Sequence, residues 1–351
     1  MKGRLTVLGV THGREAAALI EDGRLEDLLI AADAPVPETV LRVRVARPVK
    51  GLGGVFVELP EGCTGFLRGG KGLRPGQELV VQVTGVADRG KAVPVTDRLL
   101  LRGRHAILTP GAPGINLARS LRDPDERERL AGIASMAMSG APEDLGAILR
   151  SAADGVDAGV LAAEIAILRQ QAAALMEQQA GQPAVLLAAQ GPHAVARRDW
   201  PVPDTLVEGA DALAAHGVDE MIAGLCRAEV ALGGGAAMTV EPTRALVAVD
   251  VNTGADTSPA AGLKASLAAA RLLPRELRLR GLGGMVTVDF APFAKRDRHT
   301  LDQALRAAFR RDAEGTSLAG WTPLGLYELQ RRRDRAPLAT LLGAPPKSHR
   351  K

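Results

Sequence analysis

Two phrases constrain this chain more than any other part of it: TRALVAVDVNTGAD, beginning at Thr243, and GGMVTVDFAP, which repeats the pattern thirty-nine residues later. Each is a near-continuous apolar run that ends on an acid, Asp250 in the first and Asp289 in the second. The helix-length stretch between them, PAAGLKASLAAARLLPRELRLRG, makes the pair a βαβ unit, and such units join parallel strands that are adjacent or nearly so. Parallel strands in one register put both carboxylates at the carboxyl edge of the sheet, where open α/β sheets hold ligands. Two carboxylates converging there repel unless a cation sits between them, and hard oxygen ligands with room for water suit Mg²⁺, with Mn²⁺ as a substitute. Such a metal would polarise a phosphoryl group and generate hydroxide. Asn252 follows Asp250 at the strand period of two, so it shares that side and can orient a carboxylate, a water or a phosphate oxygen. A strand-ending Asp is often a plain turn or helix cap. Two in matched phrases, followed by an Arg-rich segment, favour the metal.

The Arg-rich segment is visible in the charge balance. Residues 271–351 hold 17 Lys and Arg against 8 Asp and Glu, whereas residues 1–270 hold 27 against 32. The phrases RELRLRG, AKRDRH, RAAFRRD and QRRRDRAP supply Arg275, Arg278, Arg280, Lys295, Arg296, Arg298, Arg310 and Arg331 to Arg333. A polyanion across that end fits the asymmetry, and phosphate contacts of this kind carry no sequence information.

The first thirty residues alternate in strand fashion around the turn EDG, and Val40 to Thr96 contains short strand candidates broken by Gly and Pro, the pattern of a small antiparallel barrel. Aromatics are scarce, with five Phe, two Trp and one Tyr, so the placing of two Phe in this segment matters. Phe56 alternates with Val55 and Val57, and Phe66 stands in TGFLR. Filling the barrel is one reading. If the Phe set faces out, with Arg42, Arg44, Lys50, Arg68, Lys71 and Lys91 nearby, it forms a stacking platform for single-stranded bases. Residues 156–180 read as a long helix with a Gln-rich end, and residues 190–215 read as a boundary with His193, Arg197, Arg198 and Trp200 as a contact surface. Cys63 and Cys226 form no metal or disulfide pattern and read as two buried thiols. No uninterrupted apolar run of membrane-spanning length and no signal peptide is present, so a cytoplasmic protein is expected.

Taken in order, GGVFVEL with GFL, HAILTPG, ERERL, ILRSAADG, EPTRALVAVDVNTG, LRLRGLGGMVTVDF and LGLYELQRRR resemble the bacterial ribonuclease E/G endoribonucleases over nearly the whole chain. The resemblance implies an α+β multidomain protein: an OB-type barrel inserted in a reduced ribonuclease-H-like piece, with a C-terminal α/β deoxyribonuclease-I-like catalytic domain. It places N-terminal strands of the ribonuclease-H-like piece at 1–36 and a barrel of ribosomal S-one type at 37–100. A 5′-sensor-like module follows at 101–200, the rest of the ribonuclease-H-like piece at 201–236, the catalytic domain at 237–345 and a basic tail at 346–351. By the same resemblance Asp250 and Asp289 are Mg²⁺-binding and catalytic, with Asn252 in support. Phe56, Phe66 and Lys91 would bind RNA, with Arg278 and Arg280 neutralising it, and Arg150 and Ser151 would grip a 5′-phosphate.

The implied activity is Mg²⁺-dependent cleavage of single-stranded RNA to 5′-phosphate and 3′-hydroxyl ends, in RNA processing or decay. The sequence also departs from the family. No CPxCxG phrase follows LATLL, so no zinc is expected and any oligomer would not form through a zinc link. LKASLAAA replaces an Asn-rich phrase, and Pro274 stands inside the crossover helix, where proline costs about 3 kcal/mol and is expected to kink the RNA-facing end. The altered helix makes a non-catalytic RNA-binding paralogue the competing expectation.

Overall fold

The computed structural model describes residues 2–33, 35–49, 51, 53–88, 90–310, 312 and 315–343, without the side chains of 47–49. Lys50 and the basic tail 346–351 lie outside the described residues. The chain forms two compact units, residues 1–32 with 201–351, and residues 33–200.

The first unit opens with a meander of β1 (Arg4–Thr11), β2 (Arg14–Glu21) and β3 (Arg24–Ile30). Two-residue turns join them, His12-Gly13 and Asp22-Gly23, all four residues at positive φ. That is the backbone a tight hairpin needs to match strand twist.

The second unit begins with β4 (Val40–Val49), β5 (Gly54–Glu58), β6 (Thr64–Arg68), β7 (Glu78–Val83) and β8 (Val93–Thr96). Their order is β4-β5-β6-β8-β7, and β7 pairs back onto β4 to close a five-stranded barrel consistent with an OB-like domain. Leu41, Val43, Val55, Val57, Leu67 and Val81 fill it. Next come β9 (Leu101–Arg102), β10 (Ala106–Pro110), β11 (Ile115–Leu117), α1 (Pro124–Ala137), β12 (Leu145–Leu149), α2 (Ala158–Met176), β13 (Ala184–Leu187) and α3 (Pro192–Asp199). Strands β9 to β12 form a sheet of order β11-β12-β10-β9, and β13 adds to β4. Among the described residues α2 is the one helix long and apolar enough, by length and composition, to cross a membrane. Leu161, Ile165, Leu168, Ala172 and Leu175 place one face of it in this unit's core. Of the residues read as a contact surface, Trp200 is buried and Arg198 is buried against Glu38 and Asp199, whereas Arg197 is exposed and His193 half-buried.

The chain returns to the first unit with β14 (Thr205–Glu208), which pairs parallel to β1, and with α4 (Ala212–Ala215) and α5 (Val218–Leu225). Leu213, Val218 and Ile222 pack with Leu5, Val7 and Ile20. Then follow β15 (Glu229–Gly233), β16 (Ala236–Pro242), β17 (Val247–Asn252), α6 (Pro259–Leu279), β18 (Gly284–Asp289), α7 (Arg298–Arg310), β19 (Thr316–Trp321), β20 (Tyr327–Arg331) and α8 (Leu338–Leu341). The six strands form one sheet, β15-β16-β17-β18-β20-β19, in which β17 and β18 are parallel and every other pair is antiparallel. Val247, Val249, Val251, Val286 and Val288 point to one face, where Leu273, Leu277, Leu301 and Leu305 of α6 and α7 cover them. The alternate residues of β17 and β18, including Asp250, Asn252 and Asp289, point to the other face and are more exposed.

Three expectations are corrected. Pro274 does not break α6, which runs unbroken for 21 residues with Pro274 buried among Leu273 and Leu277. Dense packing on that stripe outweighs the lost backbone hydrogen bond. The helix end is held by ion pairs to β3, so Arg275 and Arg278 are engaged within the fold and not free. Cys63 and Cys226 are both exposed, not buried.

Candidate functional site

In the six-stranded sheet β17 and β18 pair in register, with Val247 opposite Val286 and Asp250 opposite Asp289. The crossover between them is α6, started by Ser258, whose hydroxyl accepts from the Ala261 N–H at 3.2 Å, and by Pro259 in its first turn. Both carboxylates are exposed at the strands' carboxyl ends, and Asn252 Nδ2 donates to Asp250 Oδ2 at 2.6 Å. That bond fixes one carboxylate rotamer and leaves the Asn252 amide oxygen as a further hard donor. After Asn252 the chain turns away through Gly254, at φ +75°, where a Cβ would overlap the Gly235 carbonyl. The NTG phrase thus ends on a residue that only glycine suits. Among the described residues no group of three or more His, Cys, Asp or Glu side chains gathers. Two carboxylates and an amide oxygen remain, a set that fits Mg²⁺, which keeps several waters and takes one or two carboxylates plus substrate phosphate.

On the barrel, Phe56 and Phe66 are direct partners across β5 and β6, the second and third barrel strands, and both are half-buried. Val55, Val57 and Leu67 point inward instead. The two rings meet edge to face with centroids 5.5 Å apart. Gly54 makes room for this pair: a Cβ there would come within 2.6 Å of Phe66 Cζ and would overlap the Leu67 carbonyl. Sequence reasoning did not single out Gly54, although a glycine inside a strand and two residues from an aromatic is a visible signal of close approach. Arg68 follows Phe66 at the strand period and is exposed, as is Lys71; among the described residues neither makes an ion pair. Lys91 is exposed in the loop between β7 and β8 and pairs with Asp88 at 2.9 Å.

Arg278 and Arg280 are both engaged by partners within the fold. Arg278 bonds Asp312 at 2.7 Å and the Glu26 carbonyl at 2.8 Å, with Asp27 at 3.6 Å. Arg280 is buried on Glu276 and the Arg227 carbonyl. Arg331 is fully buried on Asp312, and Arg275 sits on Glu276 and the Leu25 carbonyl. Arg275 and Arg278 therefore fasten α6 to β3, and Arg280 ties the helix end to the Arg227 carbonyl. The arginines of the LRLR phrase alternate with leucines on a helix whose apolar stripe is in the core, so the long stems follow that stripe inward and the heads end on acids. Arg150 is likewise engaged: it bonds the Gly103 carbonyl at 2.6 Å and Asp199 at 2.8 Å, and Ser151 beside it is exposed.

The chain is thus an α+β protein of two units, one with an aromatic-faced barrel and the other with a two-aspartate sheet edge. Comparison narrows the class. The model of the family described as "Ribonuclease E/G family" matches residues 100–205 and 202–334. Ribonuclease G of Salmonella typhimurium (strain SL1344) is 26% identical over 414 aligned positions, covering 96% of this chain and 81% of that protein. Ribonuclease G of Escherichia coli (strain K12) is 25% identical with the same coverage. Ribonuclease E of Nostoc sp. is 26% identical over 312 positions, 77% of this chain and 45% of that protein. The chain belongs to the ribonuclease E/G family.

Proposed function

We propose that this chain is an endoribonuclease of RNA processing or decay that cuts single-stranded RNA with Mg²⁺ and leaves 5′-phosphate and 3′-hydroxyl ends. The observation that carries the reading is the in-register pair Asp250 and Asp289 on adjacent parallel strands, with Asn252 bonded to Asp250. Asp250 and Asp289 would hold the cation, which supplies phosphoryl polarisation and a hydroxide at neutral pH. The protein's own part is positional. Asn252 keeps the Asp250 carboxylate in one rotamer, and the sheet holds the two acids at a fixed strand spacing of about 4.8 Å. The barrel unit contributes affinity: bases stack on Phe56 and Phe66, while Arg68, Lys71 and Lys91 attract the backbone. This reading assigns a domain of deoxyribonuclease-I type to the six-stranded sheet and a reduced ribonuclease-H-like piece to the β14-β1-β2-β3 sheet.

The test is incubation of the purified protein with a 5′-monophosphorylated, AU-rich single-stranded RNA, in Mg²⁺ or in EDTA, beside the Asp250→Asn variant. Internal cleavage that needs Mg²⁺ and vanishes in the variant is the expected result. Tight binding with no cleavage under any condition would instead make the chain a non-catalytic RNA-binding member of the family.

A further inference from the structure

The chain has eight aromatic side chains, and four of them, Phe290, Phe293, Trp321 and Tyr327, meet in one cluster beside the carboxyl end of β18. Phe290 is the residue after Asp289, and its ring lies 5.9 Å from that of Trp321. Trp321 in turn packs 5.2 Å from Tyr327 and 6.1 Å from Phe293, and its indole N–H donates to Asp302 at 2.9 Å. The indole is therefore locked in place by three rings and a hydrogen bond. Over its face, 4.6 Å from the centroid, lies the guanidinium of Arg298, the first residue of α7.

Arg298 differs from five other arginines of this end of the chain. Arg275, Arg278, Arg280, Arg331 and Arg335 each close on a carboxylate. Arg298 is half-buried, and among the described residues it makes no hydrogen bond and no ion pair; the ring is its contact. Stacking holds the guanidinium plane without using the five donors on its rim. A partly desolvated cation with its donors unspent suits an anion with matching forked geometry, as a phosphate has. The charges around it lean the same way. Lys295, Arg296 and His299 are exposed and make no ion pair among the described residues; Asp297 is the one acid of that turn, and Asp302 is taken by the indole.

We infer that Arg298, seated on Trp321, grips a backbone phosphate of the RNA strand neighbouring the one presented to Asp250 and Asp289. This rests on the nuclease reading above and adds to it a phosphate-binding residue. Phe290 joins Asp289 covalently and Trp321 by ring contact; its ring lies in the core on the face of Val286 and Val288 while Asp289 points to the other face, so a strand that meets both groups crosses the carboxyl end of β18.

The experiment uses the Asp250→Asn chain, expected to hold RNA without cutting it, and a fluorescent single-stranded RNA titrated at several salt concentrations. Arg298→Gln should weaken binding about tenfold, the loss expected for a charged hydrogen-bonded contact. It should also reduce the slope of log affinity against log salt by about 0.7, the share of one phosphate on a single strand. Arg298→Lys should keep the slope yet lose affinity, because the charge stays while the forked geometry goes. Trp321→Leu should reproduce the affinity loss with Arg298 still present. Unchanged affinity and slope in Arg298→Gln, with the Asp250→Asn parent binding normally, overturn this inference and leave the nuclease reading standing. A parent that binds no single-stranded RNA overturns both.

Discussion

Replacing Phe56 with alanine separates two roles that a barrel phenylalanine can have. A phenylalanine in a packed core costs about 3–5 kcal/mol when cut to alanine. Phe56 is not in that position: the barrel is filled by Val55, Val57, Leu67 and their neighbours, while Phe56 stands half-buried on the outer face against Phe66. The lost interaction is then chiefly one edge-to-face ring pair, worth about 0.5–1.5 kcal/mol. If bases stack on this face, the same substitution removes about 1–3 kcal/mol of binding per base, a factor of about 5 to 140 in affinity. Fluorescence anisotropy with a single-stranded RNA at fixed salt, paired with urea denaturation, measures both quantities on one variant. The expected pattern is a large loss of affinity with a small loss of stability. The reverse pattern, a stability loss above about 3 kcal/mol with unchanged affinity, would refute the platform. Gly54→Ala should follow Phe56→Ala in direction, because the new methyl displaces the Phe66 ring and strains β5 against β6.

Other outcomes test the remaining parts. Asp250→Asn and Asp289→Asn should each abolish cleavage and spare RNA binding; retained cleavage with lost binding would contradict the site. Asp312→Ala should cost about 3–5 kcal/mol in denaturant unfolding, because it strands the buried Arg331 and the partner end of Arg278. Arg278→Ala should lower stability and leave RNA affinity unchanged, and a weakened affinity at constant stability would restore Arg278 to the RNA surface. Burial pushes the Asp27 carboxyl up, but Arg335 and Arg278 more than offset it and hold it below the usual carboxylate range. A pKa depressed in the folded state gives stability that is present above the unfolded value of about 3.9 and lost as pH falls through the folded value. Asp27→Asn should therefore be less stable at neutral pH with a shallower acid limb, and parallel acid limbs for variant and parent would count against the pairing. Asp199 competes for Arg150, so Asp199→Asn should increase the preference for 5′-monophosphorylated over 5′-hydroxyl RNA; an unchanged preference means Arg150 does not meet that phosphate.

Local pattern alone was enough for several features. The matched runs ending in Asp250 and Asp289, with a helix-length spacer, dictate a parallel pair because a short link cannot return a chain parallel to itself. Alternation around Phe56 dictates that Val55 and Val57 share the opposite face, and the Gly and Pro breaks mark four or five strand candidates for the barrel. Which face is inside is not a local property. That Phe56 and Phe66 sit directly opposite one another over Gly54 follows from the pairing of β5 with β6 and from barrel closure. Charge was least legible of all: Arg278, Arg280, Arg298 and Arg331 are the same residue type in similar Arg-rich phrases. Arg278 and Arg331 close on Asp312, which lies close by only in the folded chain, Arg280 closes on Glu276 one turn back in its own helix, and Arg298 stacks on an indole brought in by β19. Sequence fixes a charge and its spacing along an element, whereas the depth at which it is desolvated, and hence whether it fastens the fold or waits for a phosphate, depends on what the tertiary structure packs beside it.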